Sequence, residues 1–135
     1  MSFEWLHQRI QEEKDRRHRE KMTLERLPQA LEDLHGVLRE GVEAYREAFG
    51  DETVEMVLLA SRIRIRSGST AVEVTLAGDI PGFRIERGDQ NHPIEVGLLP
   101  SNKLFYRDLE RDVYLSLDDL TRKIMDRVLF PKLPE

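Results

Sequence analysis

The 135-residue chain has no cysteine. No disulfide can form, no thiolate can ligate zinc or an iron–sulfur cluster, and no thiol can act as a nucleophile. A cysteine-free chain fits a reducing compartment, and a cytoplasmic location is the expectation. Long apolar runs are missing as well. The longest, Met56-Val57-Leu58-Leu59-Ala60, falls far short of the ~18 residues a transmembrane helix needs. The start, Met1-Ser2-Phe3-Glu4-Trp5, has no basic region leading into an apolar one, so no secretory signal is expected. Phosphate-loop, G-x-S-x-G and H-E-x-x-H patterns are absent. No repeat or low-complexity tract stands out.

What is there is charge. Charged residues make up 35% of the chain, with 21 Lys/Arg against 26 Asp/Glu. The length suits one domain, which at this size buries roughly 68% of its unfolded surface. The net charge of -5 is unevenly spread. Gln8 to Arg26 carries seven basic and five acidic residues, leaving 14 and 21 for the remainder. Only Ile10, Met22 and Leu24 are apolar in that stretch, so it buries little by itself. We expect residues 1–26 to be a charged helical extension and residues 27–135 a single α+β domain.

Steps of three and four from Phe3 pass through Leu6 and Ile10, cross Glu13, Arg17 and Glu20, and become apolar again from Leu24 to Leu38. Helix is predicted on both sides of Pro28, which breaks a helix interior but fits a first turn. The expectation is two helices, over about residues 3–25 and 28–49, or one long helix kinked near Pro28. Ser2 is the expected N-cap and Gly50 the expected stop.

After Thr53 the period becomes two. Residues 55–66 read as one strand, with Val57, Leu59, Ser61, Ile63 and Ile65 on one face and Arg62, Arg64 and Arg66 on the other. Residues 71–77 read as the next, joined by Ser67-Gly68-Ser69-Thr70. A four-residue connection pairs Ile65 with Val72, Arg64 with Glu73 and Ile63 with Val74. The same treatment of Gly88-Asp89-Gln90-Asn91 sets Ile85 opposite Ile94, Phe83 opposite Val96 and Arg84 opposite Glu95. Residues 103–107 and 113–115 read as short further strands. Ser116 with Asp119 resembles a capping box opening a helix that carries Leu117, Leu120, Ile124 and Val128 on one face. The expected fold is α+β, with an antiparallel meander of about four to six strands and a C-terminal helix packed on it.

Chemical motifs are sparse. His7, His18, His35 and His92 lack ligand spacing and read as surface histidines, so no metal or cofactor is expected. Asp118-Asp119 suits a helix N-terminus without any catalytic role. The row Arg62, Arg64, Arg66 and Arg84 could form a basic sheet face. The predicted acidic neighbours and the net negative charge make nucleic-acid binding the third-ranked reading. Phe3, Trp5, Leu6 and Ile10 form an apolar end on the charged helix, which must dock in cis or against another chain. The leading expectation is a non-enzymatic protein-interaction or homo-oligomerisation module acting through that end. The second is a small-molecule-binding or enzymatic domain with a pocket between sheet and helices, using Tyr45, Tyr106, Tyr114 and His92.

Overall fold

The computed structural model describes residues 2–134. Its first element is a single helix, α1, spanning Glu4–Phe49. At 1.5 Å per residue its 46 residues reach about 69 Å. Of the two alternatives expected, the single long helix is the one observed, and two separate helices are corrected. Pro28 lies inside α1 with its ring exposed, while Thr23, Leu27, Ala30, Leu31, Leu34, Leu38 and Val42 are buried at helical spacing on either side of it. Burial of that stripe holds the helical register through the one residue that has no N–H to give. The cap residue is Phe3, not Ser2, although the Ser2 hydroxyl accepts a long 3.4 Å bond from the Glu4 amide. Gly50 ends the helix with φ +114°, its amide donating to the Arg46 carbonyl. None of the described side chains before Thr23 is buried, so the first five turns of α1 stand clear of the body.

Seven strands follow: β1 (Glu55–Leu59), β2 (Arg62–Ser67), β3 (Thr70–Leu76), β4 (Gly82–Arg87), β5 (Gln90–Leu98), β6 (Leu104–Asp108) and β7 (Val113–Leu115). They form one antiparallel sheet in chain order, one strand more than the upper end of the four to six expected. The extra strand comes from residues 55–66, which are two strands and not one. Ala60 and Ser61 form a two-residue turn that sets Leu58 against Ile63 and Val57 against Arg64. That fold-back reverses the expected facing of β1. Val57 and Leu59 stand on the outer face with the arginines, Met56 and Leu58 on the inner one, and Ser61 is an exposed turn residue and no core hydroxyl.

The β2–β3 register is the expected one, with Ile65 opposite Val72, Arg64 opposite Glu73 and Ile63 opposite Val74. The β4–β5 register is corrected by two residues. Phe83 lies opposite Ile94, Ile85 opposite His92 and Arg84 opposite Pro93. The hairpin closes on Gly88-Asp89 alone, with Gly88 at φ +61°. A positive φ confined to the first central residue is the type II′ pattern, which favours glycine there. A shift of two keeps each side chain on its face, so the apolar side survives and only the cross-strand partners change.

The inner face buries Ile63, Ile65, Val72, Val74, Phe83, Ile85, Ile94 and Val96 in one cluster with the α1 stripe. The second helix, α2 (Leu117–Leu129), adds Leu120, Ile124 and Val128 to the same cluster. It opens with the expected capping box, in which Ser116 Oγ accepts from the Asp119 amide and the Asp119 carboxylate from the Ser116 amide. The Thr70 hydroxyl donates to the Val128 carbonyl and an Arg87 Nη to the Lys123 carbonyl, tying α2 to the β2–β3 and β4–β5 hairpins. α1 is tied at both ends of its docked half, by Arg26 to the Asn102 carbonyl and by Arg46 to the Val54 carbonyl. Gly41 lets the Met125 methyl come close to α1, where a Cβ would meet it at 2.7 Å. Both helices thus cover one sheet face and leave the other open. Among the described residues no helix is long and apolar enough to cross a membrane.

Candidate functional site

The apolar end of α1 begins from spacing. Phe3, Leu6 and Ile10 recur at three and four residues and share a face, while Trp5 stands about 100° round from Leu6. All four are exposed, Trp5 to 65%, and none belongs to the core cluster. Behind them the helix is supported by its own ion pairs, Arg9–Glu12, Arg16–Glu13, Arg16–Glu20 and Arg17–Glu13. These lie at i,i+3 and i,i+4, the spacings that stabilise a solvated helix. The hydrogen bond from Arg16 holds the Glu13 carboxyl below the usual carboxylate value. The first part of α1 is thus a self-supported arm with an uncovered apolar tip.

The arginine row lies on the open sheet face, and its charge is largely matched. Arg62 and Arg64 both reach Glu73, at 3.7 and 3.9 Å, and Arg66 reaches Glu55 at 3.3 Å. The expected Arg84–Glu95 pair is absent. In the observed register Arg84 binds Asp79 instead, with Nη2 2.6 Å from Oδ2, and Glu95 receives Arg107 at 3.0 Å. Farther along, Phe105 meets Tyr114 edge-on at 5.5 Å, on the same face but four strands from β2. No aromatic side chain alternates with the arginines of β2.

The four polar groups proposed for a pocket do not converge. Tyr45 packs between Phe49 and Phe130 along an apolar groove of about 350 Å³ between α1 and α2. Tyr106 stacks on Phe83 inside the domain, where burial pushes its phenol pKa up. Tyr114 is 70% exposed on the open face. Only His92 lines a polar cleft.

That cleft, about 400 Å³, runs between α2 and the inner side of β4 to β7. Five basic side chains line it: Arg87, Arg111, Arg122, Lys123 and Arg127. Asp108, Asp119 and Asp126 line it too. Asp108 is 2% exposed and is held by Lys123 Nζ at 3.2 Å and by the amides of Glu110 and Arg111. Burial raises its carboxyl pKa, but those hydrogen bonds outweigh burial and hold it below the usual value. His92 Nδ1 lies 3.0 Å from Glu110 at the rim. Sequence reading named only His92 here. The signal for the rest is the face of α2 defined by Asp119, Arg122, Lys123 and Asp126, which is polar and opposite Leu120, Ile124 and Val128. Among the described residues no group of three or more His, Cys, Asp or Glu is placed to hold a metal ion.

No family model matches the chain, and comparison with curated proteins and with solved structures finds no similar protein.

Proposed function

We propose that this chain is a non-enzymatic interaction module that self-associates through the arm of α1, with residues 1–26 as the arm and 27–135 as the domain that carries it. The observation behind this reading is the uncovered apolar tip, Phe3, Trp5, Leu6 and Ile10, at the end of a helix whose next buried side chain is Thr23. An exposed apolar face at the end of a helix gains by meeting a second one, which takes both out of water. Trp is also enriched where interfaces concentrate their binding energy. Nothing in the reading requires a disulfide, which agrees with a cytoplasmic setting.

Sedimentation equilibrium of the full chain against the variant Leu6→Glu/Ile10→Glu tests it. The full chain should show twice the 15.8 kDa monomer mass, and the variant the monomer mass with an unchanged melting temperature. A full chain that stays monomeric at every concentration, or a variant that stays dimeric, overturns the proposal.

A further inference from the structure

We infer that the cleft between α2 and the β4–β7 strands is a binding site for a small phosphate ester. The argument starts from how the carboxylates of the cleft are used. Asp108 is taken by Lys123 and two backbone amides, Asp119 closes the capping box, and Asp126 lies 3.5 Å from Arg127. The basic side chains outnumber these acids by five to three in a chain whose net charge is -5. Among the described residues, Arg111 and Arg122 make no ion pair and no side-chain hydrogen bond. They line the cleft from different elements, Arg111 from the β6–β7 turn and Arg122 from α2, where Arg122 also borders the neighbouring α1–α2 groove.

One planar carboxylate is satisfied by one guanidinium fork. A tetrahedral dianion can accept from two forks at once, which two ion-pair-free arginines lining one cleft from different elements can supply. The buried Asp108–Lys123 pair fixes the floor between them. Val113 and Leu115 of β7 add an apolar wall. A volume of about 400 Å³ suits a small organic molecule and exceeds what a bare ion fills. The combination selects a phosphate carried on a compact apolar or aromatic body.

Phenyl phosphate is the probe, titrated calorimetrically into the full chain at low ionic strength, with inorganic phosphate and benzoate as comparisons. The expected result is saturable binding of phenyl phosphate with Kd below about 1 mM, tighter than inorganic phosphate by about tenfold for the ring against Val113 and Leu115. Benzoate should bind more weakly than phenyl phosphate. Arg122→Gln and Arg111→Gln should each weaken phenyl phosphate binding by at least about tenfold, the loss of one charge-assisted contact. Arg39→Gln, an exposed arginine outside the cleft, should leave it unchanged. Both cleft arginines are exposed, so the variants should melt with the parent. No saturable binding of phenyl phosphate, or an equal loss in Arg39→Gln, overturns the inference. Equal affinity for benzoate overturns the phosphate assignment.

Discussion

Replacing Pro28 with alanine should stabilise the protein by about 2 kcal/mol. Proline in a helix interior is about 3 kcal/mol less favourable than alanine, because it cannot donate to the carbonyl four residues earlier and its ring crowds that turn. Part of this is offset because proline also restricts the unfolded chain, by about 0.4–1 kcal/mol. The deficit falls within the docked half of α1, since Thr23 and Leu27 are buried on the N-terminal side of Pro28. Global unfolding must therefore report it. At about 2.1 cal/mol/K per residue, the unfolding entropy of 135 residues is about 0.28 kcal/mol/K, so Tm should rise by about 7 °C. Urea denaturation and calorimetry of Pro28→Ala would measure both numbers. Gln29→Ala, at the neighbouring exposed position, serves as the control and should move stability by less than about 0.5 kcal/mol. A Pro28→Ala protein that melts at or below the parent temperature would refute the reasoning. It would mean that the turn at Pro28 has a shape the docked stripe requires.

Three further outcomes follow from the packing. Asp108→Asn should cost about 1–3 kcal/mol at neutral pH, since it leaves the half-buried Lys123 without its anion. The same variant tests linkage. The Asp108 pKa is lowered in the folded state, so its contribution is complete above the unfolded carboxyl pKa of about 3.9 and is lost as pH falls through the lower folded value. Urea melts from pH 5 downward should accordingly show a smaller acid loss in Asp108→Asn than in the parent. Gly82→Ala should destabilise by about 1–3 kcal/mol, because the new Cβ would overlap the Ile94 carbonyl oxygen, a backbone atom that cannot rotate away. Ser116→Ala should cost about 1 kcal/mol by opening the capping box of α2, measurable by chemical denaturation.

Side-chain alternation carries facing far better than it carries connection. In β2 and β3 the alternation and the turn cluster agree, and the register read from residues 63–74 is the observed one. At Gly88-Asp89 the same polar cluster allows a two-residue or a four-residue closure with identical facing, so only the partners of Arg84 and Glu95 reveal the difference. Residues 55–66 fail for another reason. Ala60-Ser61 contains no Gly, Pro, Asn or Asp to announce a turn, and the alternation runs through it. The sequence leaves two helices and one long helix both open at Pro28 because proline is a strong local signal, whereas the stripe that decides for one helix acts through burial against a distant sheet. The apolar tip was legible because its pattern lies within eight residues. The cleft was not, since Arg87, Arg111 and Arg122 come from β4, a turn and α2 and meet only when the hairpins are correctly closed.

The chain-order sheet has a consequence for how the protein is made. Every strand pair joins neighbours in sequence across a short connection, so the loop-closure entropy of the sheet is small and its hairpins can form quickly for so β-rich a structure. The inner face is different. Its two covers come from opposite ends of the chain, α1 before the first strand and α2 after the last. A ribosome releases α2 only when all seven strands already exist, so the growing chain carries Ile63, Ile65, Val72 and Val74 without the helix that finally seals them. Chaperone demand during synthesis should therefore peak just before α2 emerges, and a chain stopped at Leu115 should aggregate.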